Sequence, residues 1–145
     1  MQEVKIKKLH EKAQLPRYGT EFSAGADLCA CLDAPVTLQP GETKLISIGI
    51  SAELPVGYAG LVFARSGLAT KRHLAPANKV GVIDSDYRGE WFVPLHNHGP
   101  IPQTIACGER IAQMILVPYL SAKFIEADIL LDTARGTGGF GSTGV

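Results

Sequence analysis

Glycine and proline set the first limit on what this chain can become. Nine prolines and sixteen glycines interrupt its 145 residues, leaving apolar runs spaced roughly eight to twelve residues apart, as in sandwiches and barrels. Proline removes a backbone donor and glycine costs a helix interior entropy, so both work against helix where they fall. Short strands joined by turns remain. Ile46, Ile48 and Ile50 alternate with Ser47, Gly49 and Ser51, which predicts one strand over Lys44–Ala52 with a single buried face. Gln39-Pro40-Gly41-Glu42 reads as the turn before it. Gly60–Arg65 forms another strand, with Leu61 and Phe63 on one face. Val80–Ile83 and Trp91–His96 flank Asp84-Ser85-Asp86-Tyr87-Arg88-Gly89, a pattern that predicts a hairpin with a polar tip. In Arg110–Val117 the β-leaning Ile115, Leu116 and Val117 run into Pro118, so this too reads as a strand. Gln113 then shares a face with Ile111, Ile115 and Val117. One short helix follows Ser66, whose hydroxyl is placed to cap the turn through Leu68 and Ala69. The expected class is an all-β sandwich or barrel.

A chain of this length suits one domain and buries about 70% of its extended surface. It needs neither disulfide nor structural metal to fold. Fourteen basic residues balance fourteen acidic ones, which argues against a nucleic-acid partner, because backbone binding needs a basic footprint. No run approaches the ~20 apolar residues of a membrane span, and the stretch from Met1 to Lys12 lacks the apolar core of a signal peptide. Cys29, Cys31 and Cys107 form no CxxC pair. An odd count without a secretory signal points to reduced thiols and a cytoplasmic location, with no membrane partner.

Five segments carry possible chemistry. The tail, Gly136-Thr137-Gly138-Gly139-Phe140-Gly141-Ser142-Thr143-Gly144, cannot build a core. Its glycines leave amides open to an anion, Ser142 and Thr143 add hydroxyls, and Arg135 adds a planar fork. Phe140 is an aromatic that a linker does not need and that can stack on a base. The chain divides accordingly into a β domain over 1–134 and a flexible glycine-rich tail over 135–145. The tail is no P-loop, since GxxxxGK[ST] needs a lysine and a following helix. Arg65-Ser66-Gly67 stands where a strand gives way to the short helix, a place that binds phosphate readily and equally one where a serine merely caps. In Gly81-Val82-Ile83-Asp84, a carboxylate follows an apolar strand and is held at a sheet edge; an aspartate carboxylate is ionised at neutral pH and can take a proton from water. A turn aspartate that satisfies nearby amides has the same sequence signature. Ala24-Gly25-Ala26-Asp27-Leu28 sets one carboxylate among small residues. In Gly108-Glu109-Arg110-Ile111-Ala112-Gln113, the amide of Gln113 must find a partner, either ligand or backbone. His96 and His98 share a strand face, but zinc would need a third ligand, and no matching cluster is present.

In this order the five segments resemble the five motifs of the trimeric deoxyuridine triphosphatases (dUTPases), across Ala24 to Gly144. The resemblance implies a jelly-roll-like β-sandwich homotrimer with an exchanged C-terminal tail and three active sites shared between subunits. It implies hydrolysis of dUTP to dUMP and pyrophosphate with Mg²⁺, removing dUTP and supplying dUMP for thymidylate synthesis. By position, Asp27 would help hold Mg²⁺, mainly through water. Arg65, Ser66 and Gly67 would bind the phosphates. Asn78, Gly81, Val82 and Ile83 would read the uracil from the third-motif hairpin. Asp84 would activate the attacking water and contact the sugar, and Tyr87 would pack against the deoxyribose. Gln113 would contact phosphate or the metal's water shell. Arg135, Phe140, Gly141, Ser142 and Thr143 would close over the nucleotide from another subunit. The sequence departs from the pattern at Leu74-Ala75-Pro76-Ala77-Asn78 and at Phe92, where relatives carry a longer, often polar side chain.

Two rivals stand beside this reading. A dCTP deaminase-like enzyme on the same fold would need groups to protonate and displace an amine, and no such arrangement is present beyond the shared hairpin. A non-catalytic trimeric β module that binds dUTP or a protein partner would not need Asp84.

Overall fold

The computed structural model of the chain describes residues 2–139. The tail residues Phe140, Gly141, Ser142 and Thr143 therefore lie outside the described residues. Twelve strands and one helix follow in the order β1 Lys5–Lys8, β2 Arg17–Tyr18, β3 Ala26–Cys29, β4 Val36–Leu38, β5 Thr43–Ser47, β6 Ile50–Glu53, β7 Tyr58–Phe63, α1 Ser66–Arg72, β8 Leu74–Pro76, β9 Gly81–Ile83, β10 Phe92–Asn97, β11 Gln103–Ile105 and β12 Arg110–Pro118. All pairings are antiparallel. The largest sheet has five strands in the order β2-β3-β12-β7-β9, and a three-stranded sheet runs β5-β10-β8. The β1-β6 and β4-β11 pairs complete the architecture. The expected all-β, jelly-roll-like class holds, with non-consecutive strands as neighbours in every pair but β2-β3.

The core lies between the sheets. Leu28 and Met114 point inward from the five-stranded sheet; Ile46, Val93 and Leu95 meet them from the three-stranded one. The isoleucine alternation was informative: Ile46, Ile48 and Ile50 are all buried. They do not lie on one strand, however. Gly49 has φ of +70°, and a Cβ there would fall 2.6 Å from the Cys31 sulfur. Only glycine fits that break, so the expected strand over Lys44–Ala52 becomes β5, paired with β10, and β6, paired with β1.

Three further expectations need correction. The segments around Asp84–Gly89 do not form a hairpin. β9 pairs with β7 and β10 with β5 and β8, so the polar loop crosses from one sheet to the other. Apolar runs on either side of a turn suit a crossover as well as a hairpin, which is why the pattern misled. The helix cap is Arg65 in extended backbone, with no side-chain cap bond; Ser66 is the first residue of the helix. In β12 the register slips between Arg110 and Ala112, which turns Ile111 into the core with Ala112. Gln113 thus shares its outward face with Ile115 and Val117 but not with Ile111.

Candidate active site

Directly opposed residues in a sheet share a face, and the outward face of the five-stranded sheet carries two rows of interest. In one, Arg17, Asp27, Gln113 and Phe63 stand in register across β2, β3, β12 and β7. In the next on that face, Ile115, Leu61 and Val82 form an apolar stripe across β12, β7 and β9. The first row is mostly charged and polar, and the second is apolar.

The Asp27 carboxylate is only 14% exposed and is held by two guanidiniums. Arg65 Nε donates to Oδ1 at 2.7 Å, and Arg110 Nη1 donates to Oδ2 at 3.2 Å. Arg65 reaches it from the end of β7, immediately before Ser66 and Gly67. Gln113 Nε2 donates to the Ala64 carbonyl at 2.9 Å, so its first partner is the backbone. Gly25 makes this possible: a Cβ there would lie 2.5 Å from Gln113 Oε1. Asp27, Gly25, Phe63, Arg65, Arg110 and Gln113 thus line one cavity of 500 Å³. Cys29 lies beside it. Burial first, and then the charge of Asp27, hold its thiol above the usual range, against the pull of Arg110, Arg65 and Arg17. At the far end of α1, Arg72 ties the helix to the β11–β12 turn by donating to Gln103, Glu109 and the Thr104 carbonyl.

The second cavity, of 270 Å³, opens where the two sheets part. Asn78, Gly81, Val82, Ile83, Asp84 and Tyr87 all line it, joined by Glu90, Phe92 and Pro94. Its lower edge is a tight turn. Lys79 donates its N–H to Pro76 and sits at φ of +65°, and Val80 N–H reaches back to the Asn78 carbonyl at 2.7 Å. A non-glycine residue at positive φ costs about 1 kcal/mol and fixes where Asn78 projects. Gly81 lies against Asn78, since a Cβ on it would come 3.3 Å from the Asn78 amide nitrogen. Tyr87 N–H donates to the Asp84 carbonyl at 3.2 Å. The Tyr87 hydroxyl donates to the Glu90 carbonyl at 2.9 Å, which folds the ring across Gly89, where any Cβ would collide with it. Asp84 is exposed at the cavity mouth.

The two groups stay apart within one chain. β3 and β9 are three strand spacings apart in the sheet, about 14 Å. Asp84 also follows Ile83, which pairs with Gly60, whereas Asp27 stands in the row of Phe63. That adds about 13 Å along the strands. Arg65 follows Phe63 beyond the end of β7 and turns its side chain to Asp27, so it stands at that end of the offset. Arg135 lies on an extended arm over residues 119–139 that forms no strand, and its Nε donates to the Gly138 carbonyl. Leu120, Phe124, Ile129, Leu130 and Leu131 on this arm are almost wholly exposed.

Some residues of the site escape a reading by sequence. Arg110, inside one of the segments singled out, grips Asp27, and Glu90, just beyond another, receives the Tyr87 hydroxyl through its carbonyl; only register and turn geometry reveal these partners. Arg17 gives no signal until β2 is seen to pair with β3. His96 and His98 stack edge to face at 4.3 Å, and His96 Nδ1 is 2.7 Å from the Thr43 hydroxyl. Among the described residues, no group of three or more potential metal-ligating side chains gathers.

The family model described as dUTPase matches residues 11–144. A deoxyuridine 5'-triphosphate nucleotidohydrolase of Desulfitobacterium hafniense is 53% identical over 133 residues, covering 91% of this chain and 88% of its own. One from Hahella chejuensis is 50% identical over 139 residues, covering 95% and 91%. Among solved structures, a mutant dUTPase of Staphylococcus bacteriophage 80alpha, with dUpNHpp, superposes with a TM-score of 0.90 at 26% identity over the whole of both chains.

Proposed function

This chain belongs to the dUTPase family, and from that premise we propose that it hydrolyses dUTP to dUMP and pyrophosphate, so removing dUTP and supplying dUMP for thymidylate synthesis. The observation that carries the reading is the cavity between the sheets. It places an exposed carboxylate, Asp84, beside an aromatic ring, Tyr87, and a backbone-rich edge at Asn78, Gly81 and Val82. Such a space is sized and edged for one nucleoside. Main-chain groups at Gly81 and Val82 meet the uracil edge, which offers an acceptor where cytosine offers a donor. The Tyr87 ring covers the deoxyribose and leaves no room for a 2′-hydroxyl. Asp84 holds the attacking water, takes its proton and directs it in line at the α-phosphorus.

The phosphates belong to the other group: Arg65, Ser66, Gly67 and Gln113. The separation of that group from Asp84 supports a site shared between chains. The apolar stripe of Ile115, Leu61 and Val82 and the uncovered arm support assembly as a homotrimer, with the arm and the tail from Arg135 onward laid on a neighbour. In that arrangement Arg135, Phe140, Gly141, Ser142 and Thr143 close the site, and residues 135–145 act as a separate functional unit from 1–134.

Asp27 and Gln113 offer one carboxylate with both oxygens engaged and one neutral amide. Such a donor set does not cage a bare ion, but it suits Mg²⁺ that keeps its waters and binds mainly through substrate phosphates. Asp27 and Gln113 would hold Mg²⁺ through that water, and the metal would offset charge on the phosphate chain. No helix among the described residues is long and apolar enough to cross a membrane; with the reduced thiols expected from the sequence, this supports a cytoplasmic setting.

Pyrophosphate release tests the reading, with dUTP set against dCTP, dTTP, dATP and dGTP. Turnover of dUTP alone is the expected result. Ammonia release from dCTP would instead establish a deaminase, and binding of dUTP without turnover a non-catalytic module. Light scattering should give a mass of three times 15.4 kDa; a fully active monomer would exclude the shared site.

A further inference from the structure

We propose that Arg17, with the cavity it borders, forms an anion subsite that receives the far end of the phosphate chain and then the departing inorganic pyrophosphate. The inference rests on the reading of the Arg65 side as the phosphate side. It begins with a charge imbalance. Asp27 pairs with Arg65 and with Arg110, so both of its oxygens are engaged. Arg17 stands directly opposite Asp27 on the edge strand β2, on the same outward face, and makes no ion pair among the described residues. No other carboxylate lines either the cavity around Gln113 or the one around Arg17. Three guanidiniums therefore surround a single negative charge, and the excess is positive.

The space beside Arg17 fits a small anion. A second cavity, of 280 Å³, lies beyond the Asp27–Arg110 pair and is bordered by Gln14, Arg17, Tyr18 and Gly108. It shares Gly19, Asp27 and Arg110 with the larger phosphate-side cavity, so the two are one trough with an ion pair at its waist. Arg17 and Tyr18 are both exposed, and among the described residues their side chains make no hydrogen bond. The planar guanidinium fork matches two oxygens of one phosphate. A chain held at its α end by Ser66 and Gly67 extends along the row Phe63, Gln113, Asp27 toward Arg17. After hydrolysis the product bearing the most charge leaves through the end where the unpaired cation stands.

The test is inorganic pyrophosphate, used as a competitive inhibitor of dUTP hydrolysis and as a ligand in calorimetry without nucleotide, at low salt. Arg17→Gln should weaken pyrophosphate binding about tenfold, Arg17→Lys should restore part of it, and dUMP inhibition should stay within twofold of the parent. Arg17 is exposed, so the variant's melting temperature should match the parent's and exclude a folding defect. Pyrophosphate affinity unchanged in Arg17→Gln would overturn the proposal. So would an equal loss for inorganic phosphate, sulfate and pyrophosphate, which would mark a general basic patch. A parent that binds pyrophosphate through Arg17 but does not hydrolyse dUTP would sink the proposed function and leave the subsite standing.

Discussion

The proposed phosphate side and the proposed nucleoside side of this site are built by different means. On the phosphate side, side chains do the work. Asp27 is clamped between two arginines, and Gln113 is lodged against Gly25 and tied to Ala64, with Asp27 and Gln113 themselves on paired strands. On the nucleoside side the main chain dominates. A strained turn at Lys79, an open Gly81 edge and a crossover loop pinned by Tyr87 to Glu90 define the cavity. Charge recognition tolerates ionic side chains because a phosphate is itself strongly charged. Discrimination of uracil from cytosine or thymine turns on one polar group or one methyl, and rigid backbone holds such distances better than long side chains do.

Substitutions on each side should therefore differ in kind. Asp84→Asn should cost the most activity, on the order of 10²–10⁴ in turnover, the usual span for a general base. Its carboxylate makes no hydrogen bond among those observed, so folding and dUTP binding should persist. Turnover within threefold of the parent would reduce Asp84 to a turn residue. Gly25→Ala strikes the opposite side and should act through packing. Its methyl displaces the Gln113 amide, so stability should fall by about 1–3 kcal/mol, the usual cost of overpacking, and kcat/KM should fall about tenfold. An unchanged melting temperature would show that Gln113 is free to move.

Tyr87→Ala should alter choice more than rate. The ratio of kcat/KM for UTP over dUTP should rise about tenfold, a difference on the scale that pocket shape provides. Rejection of dCTP should stay strong, because the proposed base reading falls to Gly81 and Val82. A static ratio would remove Tyr87 as the sugar filter. The smallest effect is a probe of the phosphate side alone. Asp27 raises the Cys29 thiol while Arg110, Arg65 and Arg17 lower it. Asp27→Asn should thus bring the thiolate within reach of lower pH and speed alkylation of Cys29, read by peptide mass spectrometry. Asp84→Asn should leave that rate alone, and equal acceleration in both would mean general loosening.

Local chemistry was legible in the sequence; non-local geometry was not. Alternation at Ile46, Ile48 and Ile50 exposes their burial, because burial of β-branched residues has a period of two. It does not expose the break at Gly49, where the crowding atoms come from Cys31 and Ala13. Asp84 and Tyr87 announce themselves by standing after an apolar strand in a polar loop. That the loop joins two sheets depends on β7 and β5, remote in sequence, as its partners. Gln113 was visible as an amide in need of a bond, yet a bulge one turn earlier decides which neighbours share its face. Arg17, Arg65 and Arg110 converge on Asp27 only once β2, β3 and β12 are aligned, and no spacing rule brings together residues so far apart.

The uncovered arm bears on how the chain survives before it meets its partners. Leu120, Phe124, Ile129, Leu130 and Leu131 offer water a row of large apolar groups, a surface that invites clumping as readily as correct docking. On the proposed assembly a neighbour covers these groups, so dilution would uncover them and clumping would grow as the assembly falls apart.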